Sequence, residues 1–255
     1  MIRIRLGGLF AAVSLLGLIG ATREAFAVAE THRLNIVASG IPTGIAAKDF
    51  NNFIDNINRT QLDPRGIEGI DKISFGWLFE TEVRYFVRQD IAVTAGVGQL
   101  RSQSRREILP GLQQDVQLRA EILSVPVHIG GDYYFAPYNQ GDFRARAFAG
   151  AGYYSLVYNR GRFQQVATGL DTSLHVPGQL EITGRGDSPG FYVETGAHLF
   201  FATRFSVLLG VIYRSARVEN LQGRTYIDGR VFPFGRVFNL DTSGFGARMS
   251  LAIGL

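Results

Sequence analysis

The side chains best equipped for chemistry here are two histidines, His128 and His198, and a scatter of charges set within apolar stretches. The histidines are candidate general bases and Ser206 and Ser250 candidate nucleophiles, because acyl transfer needs a base within hydrogen-bond reach of a hydroxyl. No His-x-Ser spacing joins them, and no third group is placed to orient a base. The sequence therefore predicts no catalytic residue and no enzyme. His, Asp and Glu do not recur at metal-ligand spacing and Cys is absent, so no metal and no cofactor are expected. Gly-x-Gly triplets fall inside strand-like stretches, which argues against a phosphate loop. What remains is a polar set, Glu80, Glu82, Arg84, Asp132, Arg144, Arg146, Glu194 and Arg248. Its members alternate with apolar neighbours and so share one face of the elements that carry them.

Those elements read as strands. One face presents Phe75, Trp77, Phe79, Thr81, Val83 and Tyr85, then Ile91, Val93, Ala95 and Val97, then Leu123, Val125, Val127 and Ile129. The same pattern recurs in Phe143 to Tyr153, Phe191 to Phe201, Phe205 to Tyr213 and Phe245 to Leu255, and no charge enters the set. The interleaved face carries the eight charges, the two histidines and many glycines, among them Gly96, Gly150, Gly196 and Gly210. A barrel dissolved in water would turn its charges outward. Here the charged face is also the glycine-rich one, as a crowded interior demands, and aromatic rings sit at the ends of the apolar bands. Rings so placed mark the two interfaces of a bilayer. The alternation breaks once, near Ile122-Leu123, where apolar residues pass from even to odd positions. The simpler reading is that Arg119 and Glu121 project from a strand that has left the membrane; a bulge is the other.

Connections alternate between short and long. Tight turns fall at Arg88-Gln89-Asp90, at 137–141 and near Ala202-Thr203. Long ones run over 105–113, 159–180 and 222–236. With a first strand near Leu34 to Gly40, the expected fold is all-β, an eight-stranded antiparallel transmembrane β-barrel. Phe50, Phe53, Ile54 and Ile57 fall at helical spacing, so one short helix is expected over 43–58, between the first two strands. Ahead of the barrel, Arg3 and Arg5, the apolar run Leu6 to Ala21 and Ala25-Phe26-Ala27 read as a signal peptide of residues 1–27, with the barrel domain over 28–255. Cleavage there removes three arginines and one glutamate from a chain of formal net charge +4, leaving it nearly balanced, which excludes a nucleic-acid partner.

Three phrases, Ala149-Gly150-Ala151-Gly152-Tyr153, Val125-Pro126-Val127-His128-Ile129-Gly130 and Leu240 to Gly246, carry a resemblance. The chain resembles the small outer-membrane β-barrel proteins of the OmpA-like and OmpW-like type, over nearly all of the mature chain. That resemblance implies localisation in the cell outer membrane, a monomer, and a structural or surface-interaction role. A narrow channel for small solutes and a lipid-modifying enzyme are the alternatives. One departure is the last residue, Leu255, where such proteins carry an aromatic ring read by the insertion machinery. The lumen of eight strands is just wide enough for side chains, so the polar set is expected to pair and plug it. Arg-Gly-Asp at 185–187 repeats the fibronectin adhesion tripeptide, but Gly, Asp and Pro are ordinary turn residues and a turn is expected. Arg105, Arg106, Arg160, Arg162, Arg224, Arg230 and Arg236 fall in outer loops or strand ends, where outer-membrane lipid and lipopolysaccharide phosphates are natural partners for guanidinium. The mature protein should sediment with outer membranes and migrate differently on a gel before and after boiling; recovery in the soluble periplasm would overturn the barrel.

Overall fold

In the computed structural model, residues 32–255 are described except 67, 109–114, 141–142, 169–178, 185–188, 201–203 and 228–229. The expected signal peptide and the Arg-Gly-Asp tripeptide lie outside the described residues. Eight strands close on themselves: β1 (Leu34–Gly44), β2 (Phe75–Phe86), β3 (Ile91–Ile108), β4 (Asp115–Tyr134), β6 (Phe143–Thr168), β8 (Pro189–Phe200), β9 (Phe205–Ser215) and β12 (Gly244–Gly254). A short β5 (Tyr138–Gln140) pairs with β6. All pairings are antiparallel. Followed once around, the register runs Gly76, Thr43, Gly246, Ile212, Glu194, Gly150, Asp132, Ala92 and returns to β2 at Phe86. That return lies ten residues beyond its start, so the strands are strongly tilted. Strand number and stagger together fix the bore, and this one is narrow enough for side chains to fill.

Parity decides what each side chain meets. In β2, Gly76, Leu78, Glu80, Glu82, Arg84 and Phe86 point inward and are buried. Their neighbours Phe75, Trp77 and Phe79 stand out, about half exposed. The outward positions of all eight strands form a belt about ten residues tall, free of charge among the described residues: Ile91 to Gln99, Tyr133 to Leu123, Phe191 to Leu199 and Phe245 to Leu255 are four of its staves. So large an exposed apolar surface has no place in water, and ten tilted residues is the height of a bilayer core. The chain is a transmembrane β-barrel.

Beyond the belt the polarity inverts. β4 keeps a single register with β3 from Tyr133 to Val116. Inside, Ser124, His128 and Asp132 give way to buried Leu118, Ala120 and Ile122; outside, Val125 and Val127 give way to Arg119 and Glu121. This is the break in alternation read from the sequence, and the projecting-strand explanation is the right one. The irregularity lies instead in β6, where Leu156 pairs Pro126 while Tyr158 pairs Val125, leaving Val157 extra. That one residue shifts β6 from even to odd inward positions, so that Asn159, Gly161 and Phe163 face in.

The connections expected as long loops at 159–180 and 222–236 are largely strand. β6, at 26 residues, is more than twice the length that crosses a bilayer. Its upper half pairs β7 (Gln179–Gly184), which pairs β10 (Arg217–Ile227), which pairs β11 (Arg230–Asp241). A polar outer face with an apolar inner one is a soluble sheet, and it needs a core. The helix supplies it: α1 (Lys48–Ile57) buries Phe50, Phe53, Ile54 and Ile57 on one stripe, with Asp49 in its first turn where the helix dipole favours an acid. A π turn (Asn58–Leu62) and a 3-10 turn (Asp63–Arg65) continue it to Gly66. Phe53 meets Phe163 and Phe238 edge-on, with ring centroids 5.7 and 5.8 Å away. The Asn239 amide donates to Asp49 Oδ2 and the Ala47 amide to the Asp241 carbonyl, which ties the helix to β11. Phe53→Ala should lower the stability of this cap by about 3–5 kcal/mol. Limited proteolysis should then cut β7, β10 and β11 sooner while the gel shift of the barrel persists.

Candidate functional site

The chemistry of the molecule is concentrated in its lumen, which three stacked layers fill. The middle layer is ionic. Arg84, fully buried, reaches Glu82 at 2.8 Å, Asp132 at 3.1 Å and Glu194 at 3.4 Å. From β12, two strands away from β2, Arg248 reaches Glu82 at 2.9 Å, Glu80 at 3.5 Å and, closer still, Glu194. His128 stands between the two glutamates of β2, Nδ1 3.5 Å from Glu80 and Nε2 3.2 Å from Glu82. Arg248 also donates to Ser250 Oγ, and Ser39 shares a 2.8 Å hydrogen bond with Ser250. Small residues make the room: a Cβ on Gly150 would stand 1.9 Å from Asp132 Oδ1, and one on Gly96 would stand 2.4 Å from His128 Cε1.

Six of the eight residues read from the sequence as a lumen network meet in this layer: Glu80, Glu82, Arg84, Asp132, Glu194 and Arg248. Arg144 and Arg146 lie nearer the short-turn mouth. Arg146 donates to the carbonyls of Gln89, Tyr134 and Phe135, with its guanidinium carbon 5.3 Å from the Tyr134 ring centroid. Arg144 is half-buried on the same face. His128 sits mid-barrel, within the ionic layer. Arg214 was missed, although it shares the inward parity of Leu208 and Ile212, which is the signal that could have found it. It is buried, donates to Thr43 Oγ1, and makes no ion pair with a carboxylate among the described residues.

Below the ionic layer, Val37, Phe86, Ala92, Tyr134, Phe148, Leu208 and Ala252 close the short-turn end. Above it, Ile41, Leu78, Leu100, Tyr154, Tyr192 and Ile212 lead into the core under α1. Metal-ligand types do converge, since ligand atoms of Glu80, Glu82 and His128 lie within 4.8 Å of one another. Those oxygens already hold Arg248 and Arg84, and the two imidazole nitrogens face different carboxylates. An ion would have to displace both arginines, so the trio reads as part of the ion-pair layer.

The fold also makes a contact that sequence spacing hid: His198 Nε2 is 2.7 Å from Ser206 Oγ, across the β8–β9 turn. The Tyr134 hydroxyl accepts from Arg84 Nη1 and lies 3.2 Å from His198 Nδ1, so one run of polar groups passes from Arg84 through Tyr134 and His198 to Ser206. His198 and Ser206 are both buried. This run fills the lower lumen.

Fold and site together define a class: a closed transmembrane β-barrel with a filled interior. No family model and no curated protein matches the sequence. Solved structures do. OprG of Pseudomonas aeruginosa is similar at a TM-score of 0.44 and 13% identity, over 88% of this chain and 96% of that one. Neisserial surface protein A follows at 0.40 and 13%, over 87% and 97%. Outer membrane protein W of E. coli gives 0.33 and 15%, over 89% and 99%. At these identities the likeness is one of fold.

Removing one partner of a buried ion-pair cluster strands the rest, at a cost of roughly 3–5 kcal/mol. Glu82→Gln should lower the unfolding free energy in lipid vesicles by about that much, read from urea titration. Ser206→Ala should change it by less than about 1.5 kcal/mol, the worth of one hydrogen bond.

Proposed function

We propose that this protein is a sealed anchor of the outer membrane, a monomer that carries a sheet-and-helix cap on the cell surface. The observation that carries the reading is the continuous filling of the lumen, apolar below, ionic in the middle and apolar above under α1. An open pore needs a wet path, and among the described residues no row of inward positions is left for one. A narrow channel is the weaker reading on that ground. A lipid-modifying enzyme is weaker still, because His198 and Ser206 are both buried beside the apolar layer that closes the short-turn end.

Two features support the placement. The short turns and both ends of the described chain share one end, while β7, β10, β11 and α1 occupy the other, an asymmetry that bacterial outer-membrane barrels have. The apolar belt is unbroken by charge on every wall, which suits lipid on all sides and a monomer. The cap has a core of its own and an outward face of arginines: Arg105, Arg160, Arg162 and Arg224 stand on it and Arg230 is exposed at the β10–β11 turn. Arg106 instead turns inward to Glu68, and the Arg236 side chain lies outside the described residues. Phosphates of lipopolysaccharide are the partners such a face suits. The test is planar-bilayer recording: the folded protein should leave the membrane silent across a range of voltages. Reproducible single-channel steps that vanish when the protein is omitted would sink the sealed-anchor reading.

A further inference from the structure

The rim between the apolar belt and the arginine face has one groove that joins the two. It lies on the outer surface at the seam of β2 and β3, about 550 Å³ in volume, lined by Phe75, Trp77, Phe79, Arg101, Ser102 and Gln103. The lower wall is aromatic: Trp77 stacks on Phe79 at 6.1 Å between centroids, and Phe75 meets Trp77 edge-on at 6.3 Å. All three rings are about half exposed on the lipid-facing side. The upper wall is cationic. Arg101 is the register partner of Trp77, so the two side chains stand next to each other on the same face. It is also the first outward charge of β3, ten positions beyond Ile91, which places it where hydrocarbon gives way to headgroups.

Arg101 is not a lone surface cation. Its Nε lies 3.2 Å from Glu121 Oε1, and Arg119 lies 3.4 Å from the other oxygen of that carboxylate. Glu121 is only 6% exposed, so one buried acid holds two guanidinium groups side by side and leaves one positive charge in excess. In the same cross-strand row, Leu123 separates Arg101 from Arg160. The Arg160 Nε makes no hydrogen bond with any described group. Two strand spacings, roughly 10 Å, lie between Arg101 and Arg160. A ligand for this rim must have an apolar tail to lie against rings in the bilayer and anionic oxygens at the level of the arginines. The common diacyl phospholipids, phosphatidylethanolamine and phosphatidylglycerol, carry one phosphate each. A pair of arginines one strand apart on either side of Leu123 suits a headgroup with two.

We propose that the β2–β3 groove, with Arg101, Arg119 and Arg160 above it, is a binding site for a diphosphorylated lipid of the outer leaflet, the lipid A moiety of lipopolysaccharide. An acyl chain lies along Phe75, Trp77 and Phe79. One phosphate is held between Arg101 and Arg119, and the second reaches Arg160. This deepens the lipopolysaccharide partnership above and rests on membrane residence. It centres the contact on the rim, keeping Arg160 from the arginines read from the sequence and setting Arg101 and Arg119 beside it.

Trp77 is the single tryptophan of the chain, and it lines the site. The full mature protein is folded into phosphatidylcholine bilayers, with insertion scored by the gel shift before and after boiling. Diphosphoryl lipid A bearing brominated acyl chains is then titrated in, and Trp77 quenching is followed. Quenching should saturate at one lipid A per barrel. It should be about tenfold or more weaker for Arg101→Gln combined with Arg160→Gln, the loss of charge-assisted hydrogen bonds to phosphate. Brominated monophosphoryl lipid A should bind between the two, and inorganic phosphate should leave the spectrum unchanged. If brominated phosphatidylglycerol or phosphatidylcholine quenches as strongly as lipid A, the aromatic wall is ordinary annular surface and the site is wrong. Unaltered lipid A affinity in the double variant, or inorganic phosphate shifting the emission alone, also overturns it. Absence of the gel shift overturns membrane residence itself, and the site with it.

Discussion

Everything in this molecule follows from enclosing charge behind a wall that faces hydrocarbon. A strand alternates, so if one face of a closed barrel is apolar toward lipid, the other face must supply whatever fills the bore. With eight strands and a stagger of ten residues, that bore takes side chains and little else. Arg84 and Arg248 therefore cannot stand in water; they must find carboxylates, and Glu82 serves both. The glycines opposite Asp132 and His128 are the other half of the same constraint, because bulky groups inward on one strand leave no room for a Cβ on the next.

The constraint is local in height. Once β3, β4 and β6 rise past the bilayer, water replaces hydrocarbon outside, and the favourable arrangement reverses. Leu118, Ala120, Ile122 and Phe163 turn in, while Arg119, Glu121 and Arg162 turn out. One continuous strand, β4, does this with no change of parity, simply by exchanging residue types; β6 does it with one extra residue at Val157. The cap is thus an ordinary soluble sheet-on-helix core grown from the strands of a membrane barrel. At the rim where the two regimes meet, aromatic rings and arginines become neighbours on the same outward face, as Trp77 and Arg101 do.

The candidate site was partly legible. The charges of β2, together with Asp132, Glu194 and Arg248, shared a phase with glycines, and phase alone put them in the lumen. Phase could not say at what height they sit. Arg144 and Arg146 have the parity of the network and lie nearer the mouth, where Arg146 bonds carbonyls rather than carboxylates. Arg214 has it too and was overlooked, because a single cation at a strand end looks like surface. The His198–Ser206 contact was illegible for a different reason. The two residues are eight apart in sequence and meet only because β9 pairs antiparallel with β8.

By itself, the sequence determined the class of fold, the faces of its strands, the helix between the first two, and the height of the lipid belt. Each follows from periodicity, and periodicity is a property of neighbours along the chain. Tertiary structure alone decided which arginine meets which carboxylate, that the stretches read as long loops are strands of a cap, and that Trp77 and Arg101 share one groove. Those depend on register between strands far apart in sequence. Register is set by closure of the whole barrel, which no single strand contains.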